Sequence, residues 1–409
     1  MTTKRSNGAV DGHTWEFRAR FRRHSFGWKS QPAIQRIKQA VGEIRKVARR
    51  DPTLAAEGAV LLLERLSPAL EQVDSSSGAI GTAVNGAIDA LVPIIADAPA
   101  DAKTREAWLE RLWEAHAADA MPYIEQLADH WGELCGSPEV ASEWADRLVD
   151  ITRKALSPHE GVRGHFHGTS ACLSALYSAR RYSEILDVLK DEGLWPYRLW
   201  AVKATAAMGQ KAEAIRLAEA WRGPWTSDAE VDALCEEVLL SSGLVEEANT
   251  CYGLRATTAG TYLATFRAVA KKYPHKRPEE ILADLVRTTP GAEGKWFTAA
   301  KDLGLDALAV ELARTSPCDP KTLARAARDH VETQPAFAID TGYAALDWLA
   351  RGYGYDVAGT DVWMAYTAVM QAAETLGKAP ETKERLRELA RSHPGFVVEV
   401  LGRELRIEG

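Results

Sequence analysis

From Gln31 onward the apolar positions fall into a helical rhythm. Ile34, Ile37, Val41, Ile44 and Val47 recur at steps of three and four with Lys and Arg between them, the spacing that lines one face of a 3.6-residue turn. Asp51-Pro52 ends this stripe, because proline removes a backbone donor and pushes the residue before it out of the helical region. The same habit predicts helices over Leu54–Leu66 and Ala79–Ala96, on either side of a polar DSSSG turn, and over residues 102–118, 120–135 and 138–156. Farther on it predicts Thr322–Val331, Ala336–Ala350, Thr360–Leu376 and Glu381–Arg391, with the Gly- and Tyr-rich insert ARGYGYDVAGTD between them. Strict two-residue alternation bounded by turn residues is almost missing, so a sheet is not expected.

Between these stretches the chain repeats itself. Gly209 is followed five residues later by Ala214, and Gly243 by Ala248, an offset of 34; Gly304 and Ala309 keep the spacing, and Arg180 with Ile185 forms a degenerate copy. Glycine closes one helix, and the small alanine lets the next one approach closely. Ala218 and Ala313 fall one turn farther along the same face. Over residues 168–320 this pattern resembles the tetratricopeptide repeat, although that repeat's aromatic and terminal proline positions are mostly missing. The runs FRRHSFGWKSQPAIQRIKQAVGEIRKVARRDP, EQVDSSSGAIGTAVNGAIDALVPIIADAPAD, YLATFRAVAKKYPHK and GKWFTAAKDLGL are similar to a bacterial helical-repeat family that carries no assigned activity. The resemblance implies a bacterial cytoplasmic protein and transfers no functional residue. The expected fold is an all-α, right-handed α-solenoid of antiparallel helix pairs, since each pair can bury its stripe only against its neighbours. The loop SPHEGVRGHFHG suggests a division into an N-terminal arm (1–30), a first helical half (31–156) and a second, tetratricopeptide-like half (168–409).

Charge changes the picture of the arm. Residues 1–50 hold 13 Lys and Arg against three acids, a balance of +10, while residues 51–409 hold 37 basic and 54 acidic residues, −17. Within the arm, Arg18, Arg20, Arg22, Arg23 and Lys29 lie among Trp15, Phe17, Phe21, Phe26 and Trp28, with no period of 2 or 3.6. Guanidinium groups neutralise phosphates and aromatic faces stack on bases, so Arg18, Arg20, Arg22, Arg23, Trp28 and Lys29 are the candidate polyanion-binding residues. On this reading residues 1–30 are dispensable for folding; the competing reading has the aromatics cap the first helix pair. A second basic stretch, Lys271–Arg277, reads as a solvated loop.

Candidate chemistry is sparse. His159, His165 and His167 form the one dense histidine cluster, but no second set of ligands at fixed spacing accompanies it, so no metal is expected. P-loop, GxSxG and HExxH patterns are missing, no catalytic set is legible, and no cofactor is expected. Cys135, Cys172, Cys235, Cys251 and Cys318 are odd in number and widely spaced, which suits buried thiols in a reducing compartment. The first residues carry no apolar signal segment, and the longest apolar run, Ala90–Ala96, contains Pro93. The expected location is therefore the cytoplasm, with no membrane partner. Trp195, Trp200, Trp221 and Trp225 cluster around the repeat turns, where they either line a groove or fill ridges between helices. The leading expectation is a scaffold that holds a protein or peptide in a concave face through these tryptophans. The alternative is a nucleic-acid-binding protein, with or without action on a base, that uses the arm and a basic groove.

Overall fold

The computed structural model describes residues 13–157, 164–224 and 226–407. Every regular element among the described residues is a helix, and the one β-type pairing is an isolated bridge between Gly223 and Thr226. By internal contacts the chain divides into two compact units, Met1–Trp221 and Arg222–Gly409. The Ser157–Gly168 loop lies inside the first unit, where the helices on its two sides pack together.

The first unit runs α1 (Glu16–Arg20), α2 (Ser30–Ala48), α3 (Pro52–Leu70), α4 (Ala79–Ala96) and α5 (Ala102–Ala117), then a 3₁₀ turn (Glu125–His130) leading into α6 (Trp131–Leu134). It closes with α7 (Pro138–Leu156), α8 (Thr169–Ser178), α9 (Tyr182–Val188), α10 (Trp195–Ala207) and α11 (Lys211–Glu219). The start signals are chemical. The carboxylates of Asp51 and Asp101 accept the backbone N–H of Leu54 (2.9 Å) and Thr104 (2.7 Å), and the Ser137 hydroxyl accepts that of Val140 (3.3 Å), which satisfies donors that a helix leaves unpaired. The α2 stripe is buried from Ile34 to Ile44 as its spacing predicts, and Val47 at its end is half-buried. Helix α4 is 18 residues long and apolar enough by length and composition to cross a membrane, which the short run Ala90–Ala96 did not suggest. Its Ile80, Val84, Ile88, Leu91, Val92 and Ile95 are buried in the unit's core.

One expectation needs correction here. The single helix over 120–135 is broken, because Pro122 lacks a donor and the Asp119 carboxylate takes the Ile124 N–H at 2.7 Å. Gly132 then lies so close to α8 that a Cβ would sit 2.2 Å from the Ser174 carbonyl oxygen. The arm, dispensable for folding on one of its two readings, is packed from Trp15 onward, which favours the competing reading. Trp15, Phe17, Phe21 and Phe26 are buried in the core of the first unit, and the Trp15 ring occupies the space a Cβ on Gly58 would fill, 2.3 Å away. Polar contacts fix the same segment: the Glu43 carboxylate accepts the N–H groups of Glu16 (2.8 Å) and Phe17 (3.3 Å), and Arg65 donates to the carbonyls of Arg18 and Phe21.

The second unit runs α12 (Asp228–Leu240), α13 (Val245–Ala248), a π turn (Asn249–Gly253), α14 (Leu254–Ala256), α15 (Tyr262–Lys272) and α16 (Pro278–Arg287). A 3₁₀ turn (Glu293–Trp296) precedes α17 (Phe297–Asp302), α18 (Asp306–Thr315), α19 (Pro320–Asp329), α20 (Pro335–Ala350), α21 (Gly359–Thr375) and α22 (Ala379–Ser392). A last helix, α23 (Phe396–Leu405), lies beyond the predicted set and buries Val397, Leu401 and Leu405.

The repeat has a conformational basis. Gly209, Gly243 and Gly304 stand at φ 85°, 75° and 73°, the left-handed region that closes a helix. The residue after each donates back across the turn, from Gln210 to Thr205, Leu244 to Leu239 and Leu305 to Ala300, at 3.0–3.1 Å. Arg180, the degenerate copy, holds the same conformation at φ 59°, and Arg181 makes the matching bond to Leu176 at 2.9 Å. Ile185, Ala214, Ala248 and Ala309 are then fully buried in the helix that follows.

Candidate functional site

A recess of about 610 Å³ in the first unit forms where Asn85 of α4 and four further segments meet. The end of α5 supplies His116 and the turn after it Asp119 and Pro122; the 3₁₀ turn supplies Glu125, Gln126 and Asp129. The segment before α8 supplies His165, Phe166 and His167, and the start of α10 supplies Leu194, Pro196 and Tyr197. Gly168 keeps this wall in place, since a Cβ there would lie 2.6 Å from both Phe166 and Trp113. His116, Trp113 and His167 form a triangular cluster of rings, with centroids 6.0 Å apart for the stacked His116–Trp113 pair, 5.7 Å for His116–His167 and 5.4 Å for Trp113–His167.

The electrostatics of the recess follow from burial. His116 is 7 % exposed, and desolvation, helped by the neighbouring His167, lowers its pKa below the ordinary histidine value. The ring is therefore neutral at pH 7. It interacts with the backbone carbonyl of Glu125, while Nδ1 is buried with no hydrogen-bond partner among the described residues. A neutral imidazole whose Nε2–H donates to a carbonyl carries a lone pair on Nδ1. The Gln126 side-chain oxygen is likewise buried and unpartnered, its amide nitrogen being engaged by Asp89 at 3.0 Å. Desolvation raises the pKa of Asp129, against the Ser170 hydroxyl, which lowers it. The Asp119 carboxylate is already committed to Ser67 and the Ile124 N–H. The recess is thus lined by His116, Glu125, Gln126 and Asp129, with Asn85 and Ser170, beside an exposed Leu194.

The predicted site residues fall unevenly. Trp195 and Trp200 are buried inside the first unit, and Trp221 is half-buried with the Arg198 guanidinium over its ring at 5.4 Å. Trp200 packs on Tyr177, ring centroids 5.8 Å apart. These three fill ridges between helices; Trp225 lies outside the described residues. Arg18, Arg20, Arg22, Arg23, Trp28 and Lys29 are all exposed, Trp28 to 72 %. Arg20 approaches Glu16 at 3.8 Å and Arg23 meets Glu71 at 3.4 Å. Arg18 and Arg22 depress the pKa of Arg65, after desolvation, as unneutralised neighbours do. His165 and His167 line the recess, His159 lies outside the described residues, and no group of three metal-ligating side chains occurs among the described residues. The Lys271–Arg277 stretch is knitted into the second unit by Lys272–Glu236, His275–Glu246, Lys276–Glu246 and Arg277–Glu280 pairs.

The second unit holds the two most buried carboxylates, Asp232 and Glu236, one turn apart on α12. Both are saturated: Asp232 by Arg222 and Arg255, Glu236 by Lys272 and the Tyr273 hydroxyl. Burial and the Glu236 carboxylate hold the Tyr273 hydroxyl protonated far above its ordinary range. A cluster so fully paired is a structural brace.

His116, Gln126 and Asp129 escaped the sequence reading because no local spacing links them. The legible signal was the His165–His167 pair alone. No protein-family model matches this chain, and no curated protein matches it. The fold and the site define the class: an all-α protein of two helical units, one carrying an acceptor-lined recess.

Proposed function

We propose that the chain is a binding scaffold for a protein or peptide, and that the recess in its first unit receives an arginine side chain of that partner. The helix–glycine–helix repeat supports the finer architecture, a solenoid-like stacking of antiparallel helix pairs in the manner of tetratricopeptide proteins. The observation that carries the functional reading is that His116, Glu125, Gln126 and Asp129 line one recess, where His116 Nδ1 and Gln126 Oε1 are buried without hydrogen-bond partners among the described residues. A guanidinium offers five N–H donors and no acceptor, so it answers a wall of acceptors. Calorimetric titration with acetyl-Ala-Arg-Ala-amide is expected to show binding that weakens with salt and is lost in Glu125→Gln/Asp129→Asn. The citrulline counterpart, equal in shape and uncharged, is expected not to bind. Equal binding of both peptides counts against the proposal.

A second reading, polyanion binding by the arm, is supported by Trp28 standing exposed beside Lys29, with Arg18 and Arg22 nearby in sequence and exposed. A single-stranded oligonucleotide is expected to bind with a salt-dependent affinity that Arg18→Glu/Arg22→Glu removes. Unchanged affinity in that variant excludes the arm.

A further inference from the structure

Helices α2 and α4 enclose a groove of about 460 Å³, separate from the recess. Its floor is apolar and small: Ile34, Ile37, Val41 and Gly42 from α2, and Ala79, Ala83, Gly86, Ala87 and Ala90 from α4. Two observations distinguish it from an ordinary seam between packed helices. Although α4 is apolar enough to span a membrane, only 39 % of it is buried. In addition, a Cβ built on Gly42 or on Gly86 meets nothing within 4 Å, so the two glycines face open space and are not there to let neighbours approach.

Charge identifies the occupant. The polar groups lining the groove include Lys38 and Arg45, with no carboxylate among them. Lys38 and Arg45 are exposed, lie seven residues apart on one face of α2 and have no acidic partner among the described residues. The nearest acids on the two helices are engaged elsewhere: Glu43 accepts the Glu16 and Phe17 N–H groups, and Asp89 faces His130 and Gln126. Lys46, Arg49 and Arg50 add exposed positive charge at the end of α2. The lining positions on α2 run from Ile34 to Arg45 and those on α4 from Ala79 to Ala90, each roughly 16 Å of helix at 1.5 Å per residue.

From this geometry we infer that the α2–α4 groove docks an amphipathic helix of about three turns, its apolar face down and its acidic residues two turns apart against Lys38 and Arg45. Small floor residues let the docked backbone come close, and the cations select the acidic flank and set its register. The surface is independent of the recess, so the two proposals fail separately.

The test is a selection of displayed 15-residue helical peptides, randomised among Leu, Ile, Phe, Ala, Glu, Gln and Lys, on the full chain. Enrichment of peptides with an apolar stripe and Glu at positions seven apart is expected. The winning peptide should lose at least tenfold in affinity in Lys38→Glu/Arg45→Glu, and equally in Gly86→Leu, which fills the groove without a clash and should retain the wild-type helical circular dichroism and Tm. Asp129→Asn should leave this binding unchanged. Enrichment of Lys-flanked peptides, or of none, overturns the inference, as does an affinity indifferent to Gly86→Leu. Sedimentation with phosphatidylserine vesicles, or duplex DNA binding through Lys38 and Arg45 without peptide enrichment, assigns the strip to those ligands and equally overturns it.

Discussion

Replacing Phe21 by Ala tests whether the amino-terminal segment is structure or appendage. Phe21 is 1 % exposed, lies edge-on to Phe17 and Phe26 at 6.4 and 5.3 Å, and its carbonyl accepts from Arg65. Truncating a buried Phe to Ala removes its transfer free energy and leaves a cavity, which together cost about 3–5 kcal/mol. For a unit of this size each kcal/mol lowers the melting temperature by roughly 2–4 °C, so the first unit should melt about 6–20 °C lower. Trp28→Ala, seven residues along and 72 % exposed, should stay within about 0.5 kcal/mol of wild type. Phe21→Leu should fall between the two, because most of the volume is kept. Differential scanning calorimetry of the full chain, with far-UV circular dichroism to confirm helix content, reads all three. A Phe21→Ala shift below about 2 °C, equal to that of Trp28→Ala, would refute the packing described for the segment.

Other consequences are as direct. Arg105 is buried and donates to the carbonyls of Ile95, Ala96 and Ala98, closing the end of α4; Arg105→Met should cost about 2–4 kcal/mol in chemical denaturation, since those acceptors are left unpaired. Arg180→Gly should stabilise by about 1 kcal/mol, because the left-handed backbone at φ 59° is strained for a side chain and free for glycine; a lower Tm contradicts this. Burial holds the Cys135 and Cys318 thiols up at about 12 and that of Cys172 at about 11, so in the native protein iodoacetamide at pH 7.5 should label the exposed Cys251 and spare these three, as mass spectrometry of the peptides will report. Because the folded-state pKa of His116 lies below its unfolded value, the unfolded chain binds more protons between the two. Its contribution to stability is therefore complete above about pH 6.5 and declines as pH falls through the folded value. Melting temperatures between pH 7 and 5 should fall less steeply in His116→Phe, and an identical slope would show that the ring titrates normally.

The parts of this molecule visible in the sequence are those that local chemistry encodes. The α2 stripe, the Asp-Pro stop after it and the repeated glycines each depend on neighbours within one or two turns, and each appears where the spacing puts it. Even the degenerate repeat at Arg180 keeps its backbone conformation, because the turn is set by the packing of the flanking helices. The amino-terminal segment leaves two readings open in the sequence for the opposite reason. Trp15, Phe17, Phe21 and Phe26 enter the core from one short helix and a turn at His24 (φ 55°), so their spacing follows no period. The tryptophans of α10 were visible as a cluster, but their depth depends on neighbouring helices. The recess draws on residues 85, 116–129, 165–170 and 194–199, which only the tertiary structure unites, and its decisive atom is defined by what it lacks. Likewise, the open faces of Gly42 and Gly86 differ from ordinary helix glycines only in the tertiary structure.

The central claim, that the recess is an acceptor site for an arginine side chain, rests on the state of one nitrogen. Long-range ¹H–¹⁵N spectra of the imidazoles, with His116 assigned by His116→Gln, read that nitrogen before and during titration with acetyl-Ala-Arg-Ala-amide. The account predicts an unprotonated, pyridine-type Nδ1 at pH 7 that shifts toward the hydrogen-bonded position as the arginine peptide binds and stays put with the citrulline peptide. A protonated Nδ1 in the free protein, or a resonance that ignores the arginine peptide at saturation, would contradict it.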